Sequence, residues 1–267
     1  MNLADAPIWL SGLLMSVAFL VAVEAGYRLH GWSMQGRVDP DGSEGASHIV
    51  GAAIGLLGLL IGFTFAMSAE RYEARRHLVV EEANAISTVY LRDQLFAEPE
   101  RGRLHGLLAD YVKTRQGFVA AGVDARRLDA VDAATAQVQA RIWTVTGAAV
   151  RTPAGAALTT SVLQATTDMF DLAASRRAAL DSRVPQGVLL MLAVFAFTTA
   201  AILGYGLATK GRRHRVASGG LFVLVALAIA LIADLDQPRT GTVQISQTPF
   251  DRVADSILHD PADRPAP

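Results

Sequence analysis

The sequence predicts an all-α integral membrane protein, with four transmembrane helices in two hairpins and a helical extramembrane region between the second and third. Three observations carry this reading. Hydrophobic residues make up 51% of the 267 residues and charged ones 18%, with a mean hydropathy of +0.31, a balance that belongs to membrane proteins. The apolar residues gather in four stretches of about 20 residues, the length that crosses a hydrocarbon core of roughly 30 Å at about 1.5 Å rise per residue. Between the second and third stretches, apolar positions recur every three or four residues, and strand alternation is absent. The expected divisions are 1–69 for the first transmembrane hairpin, 70–184 for the helical extramembrane region, 185–236 for the second hairpin, and 237–267 for an extramembrane tail disordered at its end.

The first span runs from about Ile8 to Tyr27. Asp5 precedes it in place of the basic residues a signal peptide carries, so it reads as a retained span. Glu24 lies in its last turn, close enough to the interface to reach water, and fits a snorkelling or capped carboxylate better than an intramembrane functional acid. Arg28 to His48 reads as a loop, with its clearest turn at Val38-Asp39-Pro40-Asp41-Gly42.

The second span, Ile49 to Ala69, carries no charge and runs without Gly or Pro into Glu70-Arg71-Tyr72-Glu73-Ala74-Arg75-Arg76, so one helix is expected to continue out of the membrane towards Phe96. Gly51, Gly55, Gly58 and Gly62 alternate at spacings of four and three, with Ala66 and Ala69 continuing the row. Such a face lets another backbone approach closely. It fits packing against protein, whether within the chain's own hairpin, against a symmetry mate, or around a pore axis.

Val79, Ala83, Ile86 and Tyr90 form the apolar stripe of the continuing helix, which Glu98-Pro99 ends. The next helix shows Leu104, Leu107, Leu108, Tyr111, Val112, Phe118 and Val119 and stops near Gly122. Asp124 can cap another, with Leu128, Val131, Thr135, Val138, Ile142 and Val145 as its seam. Thr152-Pro153 reads as an N-cap and first-turn proline opening a helix with Leu158, Val162, Ala165, Met169 and Leu172. Pro185 starts the third span, Gly187 to about Thr209. Lys210-Gly211-Arg212-Arg213-His214-Arg215 makes a basic turn into the fourth, Val216 to Ala233. Beyond Asp234 and Asp236, the tail after Pro249 ends in Asp260-Pro261-Ala262-Asp263-Arg264-Pro265-Ala266-Pro267, which reads as disordered.

The composition excludes several chemistries. With no cysteine there is no disulfide, thiolate metal site or cysteine nucleophile. The six histidines are scattered, no His-x-x-x-His pair occurs, and the glycines lack the Lys-Ser/Thr of a phosphate loop, so neither an enzyme nor a metal site nor a cofactor is expected. A net charge of −1 gives no general attraction to nucleic acid. Glu81-Glu82 and Arg126-Arg127 read as solvated faces of helices.

Three stretches carry a family resemblance: Ile61-Gly62-Phe63-Thr64-Phe65; Arg71 to Arg76 followed by Val80-Glu81-Glu82-Ala83-Asn84-Ala85-Ile86; and Asp234-Leu235-Asp236-Gln237-Pro238-Arg239-Thr240-Gly241. On these the chain resembles the bacterial bestrophin-like family, and more distantly the bestrophin ion channels. The resemblance implies a homo-oligomer, a pentamer in those channels, whose second spans line an ion pore, with the helical region as a vestibule. It makes Gly55, Leu59 and Phe63 the pore-lining positions and inorganic ions the cargo, beside the lipid bilayer of a bacterial inner membrane. Gly55 departs from the bulky apolar pattern, since a glycine cannot supply a dewetting ring: either the constriction is shorter here or the span packs differently. The long acidic run that binds calcium in animal channels is also missing.

Two functional readings follow: an ion channel, and a non-conducting sensor or scaffold whose helical bundle binds a partner or ligand. Gly51, Gly58, Gly62 and Ala66 are expected to serve helix packing. Asp234 and Asp236 are expected beside Arg71, Arg75 or Arg76, because both groups follow spans that exit on one side. The helical region and both termini then share that side. Charge in the short loops favours a cytoplasmic Lys210–Arg215 turn, whereas the resemblance, with Arg71, Arg75, Arg76, Arg176, Arg177 and Arg183, favours a cytoplasmic helical region, which is the side adopted here.

Overall fold

The structure is a computed structural model that describes residues 8–33, 42–122, 124–153, 155–209, 215–237 and 241–258. Eight α-helices occur among them: α1 Ile8–Ser33, α2 Gly42–Asp93, α3 Glu100–Ala120, α4 Ala125–Ala149, α5 Thr159–Asp181, α6 Gln186–Thr209, α7 Arg215–Asp236 and α8 Thr248–Leu258. No strand is present among the described residues. The chain forms two compact units, one of Met1–Tyr72 with Arg183–Val243 and the other of Glu73–Ser182 with Gln244–Pro267. Helix α2, unbroken over 52 residues, contributes to both.

The first unit contains α1, the uncharged part of α2, α6 and α7, which are long and apolar enough to cross a membrane. Helices α1 and α6 run parallel, since Phe19 meets Phe197 (ring centroids 4.7 Å apart) and His30 meets Tyr205 (4.8 Å). They approach so closely that a Cβ on Gly26 would fall on the carbonyl of Ala201, and one on Gly204 on the carbonyl of Val23. Helix α7 runs antiparallel to α1, with Ala230 opposite Gly12 and Gly219 opposite Leu20. Phe19, Phe222, Ile232, Ala196, Ala200 and Leu57 fill the interior. Glu24 pairs with Arg28 one turn on, at 3.1 Å.

The second unit is a helical bundle whose core joins Val79, Ala83, Ile86 and Tyr90 of α2 to Leu108, Tyr111, Val138, Ile142 and Met169. Asp124 caps α4 as its position predicts, accepting from the amides of Arg126 and Arg127. Thr152 does not open a helix. Its hydroxyl bonds to the Ala149 carbonyl and accepts from the Gly155 amide, closing a turn behind α4, and α5 starts only at Thr159 after a 3-10 turn at Ala156–Leu158. Ahead of the tail's end, Thr248–Leu258 forms a helix, α8, that no apolar run in the sequence announces. Phe250, Ala254 and Ile257 of α8 are buried in the bundle core, enough apolar area on one face to hold an 11-residue helix that propensity alone would not. Helix α1 runs past Tyr27 to Ser33, α2 starts at Gly42 and ends at Asp93, so the first loop is shorter than expected. Residues 38–41 of the expected turn Val38–Gly42, residues 210–214 of the basic turn Lys210–Arg215, and residues 259–267 of the tail lie outside the described residues.

Candidate functional site

At about 3.6 residues per turn, Gly51, Gly55, Gly58, Leu59, Gly62, Phe63 and Ala66 share one broad face of α2, and Leu57, Thr64 and Ser68 lie on the opposite one. The chain buries the second face: Leu57 is 2% exposed, Thr64 3% and Ser68 0%. It leaves the first uncovered. Phe63 is 64% exposed and Leu59 52%, and a Cβ placed on Gly51, Gly55, Gly58 or Gly62 would meet nothing within 4 Å. Packing within the chain's own hairpin therefore does not account for the glycine row. Among the described residues of this unit's helices, the glycines pressed against backbone are Gly26 and Gly204, isolated ones in α1 and α6 that no repeat announces.

At the end of this unit where α2 leaves it, the exit residues converge. Arg71 donates to the carbonyl of Arg183 at 2.8 Å, and Asp236, closing α7, accepts from the amide of Val184 at 2.8 Å, so Arg71 and Asp236 grip adjacent residues of the strand of chain leading into α6. Asp234, 1% exposed, accepts from the Thr242 amide (2.7 Å), the Thr242 hydroxyl (2.8 Å) and the Val243 amide (3.1 Å). Among the described residues these donors, not an arginine, hold Asp234. They draw the exit segment back over the last turn of α7, so tightly that a Cβ on Gly241 would lie 2.5 Å from Asp234 Oδ1 and 2.8 Å from its carbonyl oxygen. The spacing of Asp234 and Gly241 is thus the spacing of a side-chain staple and the residue it presses upon. Arg76 pairs with Glu73 at 3.1 Å on the exposed side of α2. Arg75, in the second unit, is 4% exposed.

The second unit holds a cluster that the pairwise reading of Glu81-Glu82 misses. Glu82 is fully buried, not solvated. Its Oε1 accepts from Arg115 Nε at 2.5 Å and its Oε2 from Arg176 Nη1 at 2.9 Å. Arg115 stacks 4.5 Å from the Phe118 ring centroid and Arg176 4.9 Å from that of Phe250, while Arg176 also donates to Gln247 Oε1 at 2.7 Å. Desolvation works against both guanidinium charges. At Arg115 the hydrogen bonds and charge of Glu82 outweigh it and raise the pKa, whereas at Arg176 desolvation prevails and lowers it. The signal was positional: Glu82 stands three after Val79 and four before Ile86, Arg115 three before Phe118, and Arg176 three after Ala173, all core positions of their helices.

One further buried acid has no such partner. Asp93, closing α2, is 4% exposed and its Oδ1 accepts no hydrogen bond among the described residues; burial pushes its carboxyl up to about 7. No group of three metal-ligating side chains is assembled among the described residues.

The family model of the bestrophin-like domain matches residues 10–250. No curated protein matches the sequence. Among solved structures, a bacterial bestrophin homologue from Klebsiella pneumoniae superposes with a TM-score of 0.62 at 16% identity, covering 97% of this chain and 100% of that one. A tryptophan-to-alanine variant of the bestrophin homologue from the same organism gives 0.66 at 13% identity, covering 95% and 96%. At these identities the likeness establishes the fold.

Proposed function

Because the chain belongs to the bestrophin-like domain family, we propose that it is a homo-oligomeric ion channel of the bacterial inner membrane, its pore lined by α2. The observation that carries the proposal is the uncovered face of α2. A lone membrane helix turns apolar side chains to lipid, but a row of glycines offers lipid little contact and instead admits a second backbone, and the chain's own helices leave that row open. Copies of α2 arranged around an axis would cover Gly51, Gly58, Gly62 and Ala66 and present Gly55, Leu59 and Phe63 to the ion path. Leu59 and Phe63 then form the constriction, one turn apart, and gate by expelling water; Gly55 leaves it two rings deep.

The decisive experiment couples native mass measurement of the purified protein with ion flux in liposomes. A closed oligomer, a pentamer by the resemblance, is expected to conduct, and Leu59→Ala with Phe63→Ala is expected to raise the flux. Gly55 is the specific observation favouring the other reading, a non-conducting sensor or scaffold. That reading prevails if folded wild type and double variant are both silent to inorganic cations and anions.

A further inference from the structure

The surface of the second unit opens into a cleft of about 750 Å³ between α3 and α4, within the range of pockets that take small organic ligands (about 300–1,000 Å³). Glycine makes the room. A Cβ on Gly106 would meet nothing within 4 Å, and one on Gly102 would meet only the carboxylate of Glu98. The floor is apolar, with Leu107 buried at 7% exposure and Val145 packed against the core.

Arg103 and Arg141 stand on the rim, each one turn before a floor residue, Leu107 in α3 and Val145 in α4. Both are exposed, and among the described residues neither guanidinium has a hydrogen bond or an ion pair. Most other arginines of the same unit are committed, Arg101 to Glu98, Arg115 and Arg176 to Glu82, Arg127 to Asp124, Arg177 to Asp132 and Asp181, whereas Arg126 and Arg252 are exposed and away from the cleft lining. The cleft's one acid, Asp110, sets a single negative charge against two positive ones.

We infer that this cleft binds an amphipathic organic carboxylate, its apolar body lying on Leu107 and Val145 over the glycines and its carboxylate taken by Arg103 and Arg141. A guanidinium offers paired N–H donors in the geometry of a carboxylate, and the glycine-walled floor accepts a flat or short-chain body that a wider α3 face would exclude. The assignment does not depend on conduction, and flux forms no part of its test.

The test is equilibrium dialysis of 2-naphthoate against the full chain in lipid nanodiscs. Two comparators separate head from body: 2-naphthalenemethanol, with the body and no charge, and acetate, with the head alone. Saturable binding of one naphthoate per chain is expected, with both comparators at least about tenfold weaker. The double variant Arg103→Ala, Arg141→Ala is expected to lose at least about tenfold. Gly106→Leu is expected to abolish binding while strengthening α3, because leucine favours a helix where glycine opposes it; circular dichroism confirms that the helix persists. No saturable binding in nanodiscs overturns the assignment, including the case in which a second copy covers the cleft. So does binding unchanged in Gly106→Leu, or an affinity for the neutral alcohol equal to that for the carboxylate.

Discussion

Asp93 ends a long helix in a place where, among the described residues, its charge has no counterpart, and the consequence can be read as a dependence on pH. In the unfolded chain its carboxyl titrates near 3.8 and in the fold near 7, so between those values the folded state holds the proton that the unfolded state has released. Stability is therefore fullest below pH 3.8 as far as this group is concerned, falls as pH rises through the window from 3.8 to about 7, and stays reduced above it. The difference between the two values corresponds to about 4 kcal/mol at full development. Asp93→Asn is expected to stabilise the protein at pH 8, to leave it unchanged at pH 4, and to flatten the pH profile of thermal unfolding; parallel profiles for the two proteins would refute the assignment. Glu82 poses the opposite case, a charge with two partners. Glu82→Gln leaves two buried guanidiniums without a counter-charge and is expected to cost about 3–5 kcal/mol, read from denaturant unfolding. Replacing Glu82, Arg115 and Arg176 together by Leu or Met is expected to recover most of that loss. Glu82 was not legible as buried from its own neighbourhood, because the adjacent acid Glu81 suggests a wet surface while helical spacing turns successive residues about 100° apart. Only the stripe in which Glu82 interrupts Val79, Ala83 and Ile86 reveals its direction.

Helices were the legible level. The cores of the spans, the Asp124 cap and the apolar seams of the bundle follow from residue type, length and period, and the ends of helices less so, because an end is decided by which neighbour satisfies its backbone. Thr152 shows this: the residue types fit an N-cap, but its hydroxyl serves the turn behind α4. Helix α8 shows the complementary loss, since three buried positions in 11 residues give too few periods to stand out from a polar tail. The glycines divide into two kinds that sequence spacing cannot separate. Gly204 faces backbone in its own chain, and Gly62 faces open space. Gly204→Leu is accordingly expected to abolish the folded membrane unit, whereas Gly62→Leu is expected to leave the monomer's helicity and melting intact while breaking up the oligomer. Gel filtration in mild detergent alongside thermal melts distinguishes them, and equal damage by both substitutions would mean that the α2 face has no role in assembly.

Across the first unit, directions are consistent: α1 parallel to α6, α7 antiparallel to both, and Arg71 of α2 and the end of α7 meeting the chain just before α6 at Arg183 and Val184. The chain therefore leaves this unit after Tyr72, re-enters at Arg183 and leaves again after Val243 on the side where α1 begins. A cytoplasmic side is the expected one. A fluorescent reporter fused after Arg252 is expected to fold and an alkaline phosphatase fusion there to be silent; the reverse pattern would place the helical unit outside the cytoplasm. The close seating of Gly26 on Ala201 and of Val23 on Gly204 has a further consequence, one of timing. Its two halves are separated by about 175 residues of chain, and at roughly 5–20 residues per second of synthesis α1 waits about 10–35 s in the bilayer before α6 is made. Through that interval the nascent N-terminal half shows the insertion machinery a groove cut for a helix that does not yet exist, so the stage at which this protein is most open to capture by membrane chaperones and proteases comes before its second half has left the ribosome.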